Sequence, residues 1–136
     1  MKNFGDFTML GAQPVLPVRD VAATIAYYRD VLGFRDTSMW GSPPTHGTVV
    51  RNRAGLQFVL APDDQPAPAA WAYVFLTDVD ALCAEYRSRG VEVIQGPGDR
   101  AWGMREFTIR DLNGNKVCFG EHLDELGGGD VGASDG

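Results

Sequence analysis

The chain has 136 residues, 44% of them apolar, with three Trp, four Tyr and seven Phe, and a formal net charge of −6. That supplies the core of one small domain or of two small halves sharing a core, and no apolar run approaches the ~20 residues of a membrane span. The acidity gathers at the end: residues 121–136 hold Glu121, Asp124, Glu125, Asp130 and Asp135 with no Lys or Arg, leaving 13 acids against 12 bases before them and no basic run for a nucleic-acid partner.

The opening "MKNFGDFTMLGAQP" lacks the unbroken apolar stretch of a signal peptide, so a cytoplasmic protein is expected. Residues 1–10 form an arm. From residue 14, "PVLPVRDVAATIAYYRDVLGF" predicts a strand with two prolines, then a helix. Asp20 can cap that helix, and Val21, Ile25, Tyr28 and Leu32 fall on one face. Gly33 ends it. "TVVRNRAGLQFVLA" (48–61) predicts two strands around a glycine turn, and "APDDQPAPAA", with three prolines, is the linker. "AYVFLTDVDALCAEYRSRGVEV" (72–93) then repeats strand, helix, strand. Here Asp78 is the cap, Val79, Leu82, Cys83 and Tyr86 are the apolar face, and Gly90 is the stop. "REFTIRDLNGNKVCFGE" (105–121) closes with two strands around Asn113-Gly114, a tight-turn pair. The tail "EHLDELGGGDVGASDG" is expected to be disordered.

Asp20-Val21 and Asp78-Val79 stand 58 residues apart, as do Tyr28-Arg29 and Tyr86-Arg87. The expectation is therefore an α+β protein of two tandem βαβββ modules, 11–61 and 71–121, joined by a linker at 62–70 and followed by a tail at 122–136. One helix covers only one face of a small sheet. The other two faces must meet something, and an open cup lined by strand faces satisfies both. By strand parity Gln13, Gln57, Trp71, Tyr73, Glu106, Thr108 and Cys118 point into the cup, while Phe58, Phe107 and Ile109 point to the core.

"PVLPVRDVAATIAYYRDVLGF", "AWAYVFLTDVDALCAEY" and above all "WGMREFTIRDLNGN" resemble stretches of the vicinal oxygen chelate superfamily. That family includes glyoxalase I, extradiol dioxygenases, and fosfomycin and bleomycin resistance proteins. The resemblance spans residues 11–121 and is nearest to the bleomycin resistance proteins. It implies the glyoxalase/bleomycin resistance fold, with four metal-ligand positions in the cup of the superfamily's enzymes. Those positions fall on Gln13, Gln57, Trp71 and Cys118. An indole offers a metal nothing but an N–H donor, and two amides with a thiol suit a hard divalent ion poorly. No metal, cofactor or catalytic residue is therefore expected.

What the resemblance implies instead is binding alone: a homodimer that sequesters a small planar natural product, cationic or aromatic, bleomycin-like antibiotics first, as a resistance protein does. Trp102 beside Gly103 is then a stacking platform, or else a cover for the cup mouth or a dimer contact. Trp71 and Tyr73 form a stacking wall or an aromatic plug. Glu106 meets a ligand cation, or an arginine such as Arg105 or Arg110 from across the interface. Trp40 is a lid on a loop edge, or packing. His46 and His122 are expected to face solvent, and Cys83 and Cys118 to be buried thiols. Two alternatives stand beside sequestration. One is an enzyme: a metal-dependent lyase or dioxygenase, or a metal-free isomerase with Glu106 as base. The other is a metabolite-binding regulatory domain.

Overall fold

In a computed structural model, residues 7–62 and 69–123 are described. The arm's first six residues, the linker's centre and the tail from residue 124 lie outside them. The elements run β1 (Val15–Val18), α1 (Val21–Asp30), β2 (Arg35–Trp40), β3 (His46–Arg51), β4 (Ala54–Leu60), β5 (Trp71–Phe75), α2 (Val79–Ser88), β6 (Glu92–Asp99), β7 (Met104–Arg110) and β8 (Lys116–His122). They build two four-stranded sheets with the same topology, β1-β4-β3-β2 and β5-β8-β7-β6. In each, the first strand pairs parallel with the last, and the remaining pairs are antiparallel.

The repeat is legible atom by atom. The Asp20 carboxylate accepts from Ala23 N at 2.9 Å, and that of Asp78 from Ala81 N at 3.1 Å, so both helices begin on the capping residues expected of them. Pro17 sits in β1, an edge strand, where a missing N–H costs no ladder bond. β6 begins at the strand expected around "VEV" and continues through Gly96-Pro97-Gly98. It too is an edge strand, and its register against β7 slips twice to accommodate the run.

Between the sheets and helices lies one core containing residues of both halves, including Tyr28, Phe58, Tyr86, Phe107 and Phe119. Tyr28 packs on Phe58 with ring centroids 4.9 Å apart, and Phe107 stacks on Phe119 at 5.1 Å. Each helix tyrosine also crosses into the other half. The Tyr28 hydroxyl donates to Asp111 Oδ2 at 2.7 Å, and the Tyr86 hydroxyl to the Leu32 carbonyl at 2.8 Å. Burial, helped by the Asp111 charge, pushes the Tyr28 phenol well above its ordinary range.

The turn "DLNGN" between β7 and β8 does more than reverse the chain. Asp111 Oδ1 accepts from Asn113 N and Asn115 N, both at 2.9 Å. Asn113 takes the Arg19 N–H and donates to Thr24 Oγ1, and Asn115 donates to the Pro17 carbonyl. The turn thus clasps the first half to the second. An ion pair between Arg51 and Glu85, 2.9 Å apart, adds a half-exposed link. Among the described residues, the hydrogen bonds joining the halves involve helices, strand ends and this turn, and none joins the two cup faces. No helix among the described residues is long and apolar enough to cross a membrane.

Candidate functional site

Strand alternation places Trp71, Tyr73 and Phe75 of β5 on the face away from α2, at 62%, 39% and 65% exposure, while Ala72 between them is buried. Beside them on β8 stand Lys116, Cys118 and Gly120, in register with Trp71, Tyr73 and Phe75, and His122 follows two residues on. Lys116 Nζ lies 4.8 Å from the centre of the Trp71 ring, a cation on an aromatic face. Tyr73 packs on Phe75 at 5.0 Å, and Phe75 stacks flat on His122 at 5.7 Å. The second sheet therefore presents a continuous aromatic wall.

At its centre is one buried carboxylate. Glu106 on β7 is 6% exposed. Its Oε2 accepts from the Tyr73 hydroxyl at 2.6 Å and from Trp102 Nε1–H at 3.0 Å. Arg100 Nε stands 3.7 Å from Oε1, and Arg100 Nη2 donates to the Glu106 carbonyl at 3.3 Å. Burial resists the charge most strongly, but Tyr73, Trp102, Arg100 and the Cys118 thiol together outweigh it and hold the carboxyl below its usual range. Tyr73 moves the opposite way: burial first, then its bond to Glu106, keeps the phenol protonated far beyond its ordinary range. Within the chain the arginine at Glu106 is thus Arg100, and this chain's own Arg105 and Arg110 do not reach it. Arg105 lies on the helix side, bound to Asp80 and Asp99, and Arg110 pairs with Glu92 at the sheet edge. Parity predicts the Arg105 side; it gives no sign of Arg100, which precedes the strand.

Tyr73 reaches Glu106 by lying across β8. Gly120 makes that possible, because a Cβ there would collide with the Tyr73 hydroxyl and stand 2.7 Å from its Cζ. Trp102 occupies the turn before β7 and is 67% exposed although its N–H is tied down. Gly103 follows with φ +83°, closing the turn by a bond from its N–H to the Arg100 carbonyl at 3.1 Å. No atom lies within 4 Å of where its Cβ would stand, so the chain itself needs glycine there for conformation rather than room.

The first sheet differs in character. Gln57 Nε2 donates to Gln13 Oε1 at 3.1 Å, and Gln57 Oε1 lies 3.1 Å from His46 Nε2. His46 is half-buried at the start of β3 rather than solvent-facing on a loop, and its register with β2 sets it beside Trp40. Trp40 ends β2, 74% exposed. Of the six candidate residues, Trp71, Tyr73, Trp102, Gly103 and Glu106 come together around the second sheet, and no described contact joins Trp40 to them. His122 and Phe75, which complete the wall, were not among the candidates, although Phe75 continues the parity of Trp71 and Tyr73.

The superfamily's four metal positions do not fit a metal here. Gln13 and Gln57 spend amide groups on each other, Trp71 has no lone pair to give, and burial pushes the Cys118 thiol up so that it stays protonated. Outside the cup, Asp78, Asp80 and Glu121 cluster at the start of α2. Asp78 and Glu121 accept helix N–H groups there, and Asp80 holds Arg105.

Known proteins share this fold. The bleomycin-binding protein of bleomycin-producing Streptomyces verticillus, solved with copper(II)-bleomycin, is 30% identical, with TM-score 0.71 over 83% of this chain and 96% of that one. A glyoxalase-related enzyme of Clostridium phytofermentans shares the fold at TM-score 0.73 and 16% identity, over 88% of this chain and 99% of that one. A virulence protein of Salmonella typhimurium is 24% identical over 127 residues, 80% of this chain and 81% of its own length. With two like-built sheets in one chain and a family model matching residues 11–119, the protein belongs to the Glyoxalase/Bleomycin resistance protein/Dioxygenase superfamily.

Proposed function

We propose that the protein binds a small planar natural product, cationic or aromatic and of the bleomycin type, and holds it without transforming it. The observation that carries this is Trp102: an indole two-thirds exposed, yet fixed in place through its N–H to a buried carboxylate. A ring presented that way is pre-organised to stack. Trp71 and Tyr73 extend the same surface. The 30% identical bleomycin-binding protein supports bleomycin as the first ligand to try, and sequestration of such a drug would serve resistance.

A second copy of the chain completes the cup. Val15, Trp40, Trp71, Tyr73 and Phe75 all lie exposed on sheet faces turned from the helices, and the contacts that join the halves within one chain leave those faces uncovered. Apolar surface of that extent marks an interaction site. The amide-lined first sheet of one chain would then face the aromatic wall of the other.

Catalysis by Glu106 as a base is disfavoured. A general base works best with a pKa near the operating pH, and the donors around Glu106 hold it in the opposite direction.

Trp102→Ala tests the platform. Stacking on an indole is worth ~1–3 kcal/mol by analogy with base stacking, or roughly ten- to hundredfold in affinity. Folding should lose no more than the one hydrogen bond to Glu106, about 1.5–3 kcal/mol and toward the lower figure because the indole is exposed, against ~3–5 kcal/mol for truncating a core indole. Titration with bleomycin and determination of the denaturant midpoint separate the two. A large loss of stability returns Trp102 to the core, and a wild type that ignores bleomycin and a panel of planar cationic antibiotics removes the drug-binding proposal.

A further inference from the structure

We infer that Glu106 never touches the ligand but sets its chemical class, making the Trp102 and Tyr73 rings selective for a delocalised organic cation, such as an N-alkylated heteroaromatic ring, over a neutral ring of the same shape. This rests on the stacking role of Trp102 proposed above and goes further by assigning the source of its preference.

The geometry separates Glu106 from any ligand. Its carboxylate is 6% exposed, and one oxygen already takes both the Tyr73 hydroxyl and the Trp102 N–H. Its other oxygen faces Arg100 at 3.7 Å. At ligand distance the Glu106–Arg100 pair is close to neutral, so direct Coulomb attraction for a cation is largely cancelled. What remains is transmitted through the donors. Both bonds are charge-assisted and therefore strong. An N–H or O–H donating to a carboxylate gives up positive charge at its hydrogen and leaves more electron density on the ring. The face of an indole or phenol is already the negative pole of its quadrupole, and a cation over it is attracted by that pole. One buried carboxylate thus enriches two rings whose polar ends converge on the same oxygen. The same wall already holds a cation on an aromatic face, Lys116 over Trp71 at 4.8 Å.

The probes are N-methylquinolinium and quinoline, at a pH where quinoline is neutral, titrated against the full-length protein by nuclear magnetic resonance. The ratio of their dissociation constants measures the preference. An exposed cation–ring contact contributes about two- to fivefold, so wild type should favour the cation by at least that factor. Glu106→Gln should lower the preference to the roughly two- to fivefold of an ordinary exposed ring, while changing quinoline affinity by less than about twofold. In a Trp102→Phe, Tyr73→Phe background, which keeps both rings but has neither donor, Glu106→Gln should have little further effect. The Trp102 indole N–H resonance, identified by its loss in Trp102→Phe, should lie downfield in wild type and move upfield in Glu106→Gln. Tyr73→Phe is the second variant. It frees Oε2 for Trp102 alone and should shift that resonance further downfield. An unchanged preference in Glu106→Gln overturns the inference. So does an equal loss in the Trp102→Phe, Tyr73→Phe background, because the carboxylate would then act by direct attraction. If both probes bind and shift Trp102 equally, stacking stands and the inference falls. If neither probe shifts Trp102, the platform falls with it.

Discussion

Gly120→Ala isolates the contact on which the aromatic wall depends. The new methyl would occupy the space of the Tyr73 hydroxyl, with Cζ 2.7 Å and Cε1 3.1 Å away. β8 cannot yield, because it is paired on both sides, to β5 and β7. Tyr73 can: it is 39% exposed and free to swing toward solvent. The cost is then its 2.6 Å bond to Glu106. A hydrogen bond to a charged group contributes about 1.5–3 kcal/mol, and water entering behind the displaced ring brings the loss toward the lower figure. The denaturant midpoint should fall accordingly, with the slope unchanged. Ultraviolet titration should show one tyrosine returning toward the ordinary range, because Tyr73 leaves both its burial and its carboxylate. In a Tyr73→Ala background the same substitution should be nearly neutral, the difference giving the coupling between the two sites. If Gly120→Ala leaves both stability and tyrosine titration unchanged, Tyr73 does not lie across β8 in solution, and the shared acceptor at Glu106 is wrong.

Tyr28→Phe should cost about 1–3 kcal/mol, since it leaves the buried Asp111 carboxylate short of one donor; equilibrium unfolding checks it. Glu106 gives a defined pH signature. Its folded-state pKa is lowered, so its contribution is fully present above the ordinary glutamate value of ~4.3 and is lost as pH falls through the lower folded value. The stability advantage of wild type over Glu106→Gln should therefore hold at neutral pH and fade on acidification below that value; an advantage that instead grows in acid would reverse the assigned direction. Sedimentation should show a dimer at micromolar concentration, and a stable monomer there would count against a cup completed by a second copy.

Much of the fold could be read from the chain because local rules and the repeat agree. The caps at Asp20 and Asp78, the helix faces around Ile25 and Cys83, and the buried Phe58, Phe107 and Ile109 all follow from period and position. Alternation also placed Trp71, Tyr73, Glu106 and Cys118 on one face. What stayed hidden were relations between strands. Nothing local to Gly120 says that a tyrosine on β5 passes over it, and nothing local to Arg100 says that it faces a glutamate six residues later. The His46 ring joins Gln57 only because β3 and β4 pair in one register. The strand expected at "VEV" runs on through Gly96-Pro97-Gly98, a stretch local rules do not extend a strand across but an edge strand tolerates. The tail and the linker's centre fall outside the described residues.

The two crossing phenols also bear on what duplication leaves behind. Tyr28 and Tyr86 occupy the same place in their repeats, yet their acceptors differ in kind. One is a carboxylate that depends on the phenol for one of its donors; the other is the Leu32 carbonyl, which also receives Arg51 Nη1 at 2.8 Å. Symmetry of sequence therefore does not carry over to symmetry of energy. A substitution tolerated in one copy of the repeat is no guide to its twin, because the Leu32 carbonyl that Tyr86 reaches has Arg51 in reserve, while Asp111, which Tyr28 reaches, has no arginine among the described residues. The matching Tyr-Arg pairs are a shared spelling of two different bonds.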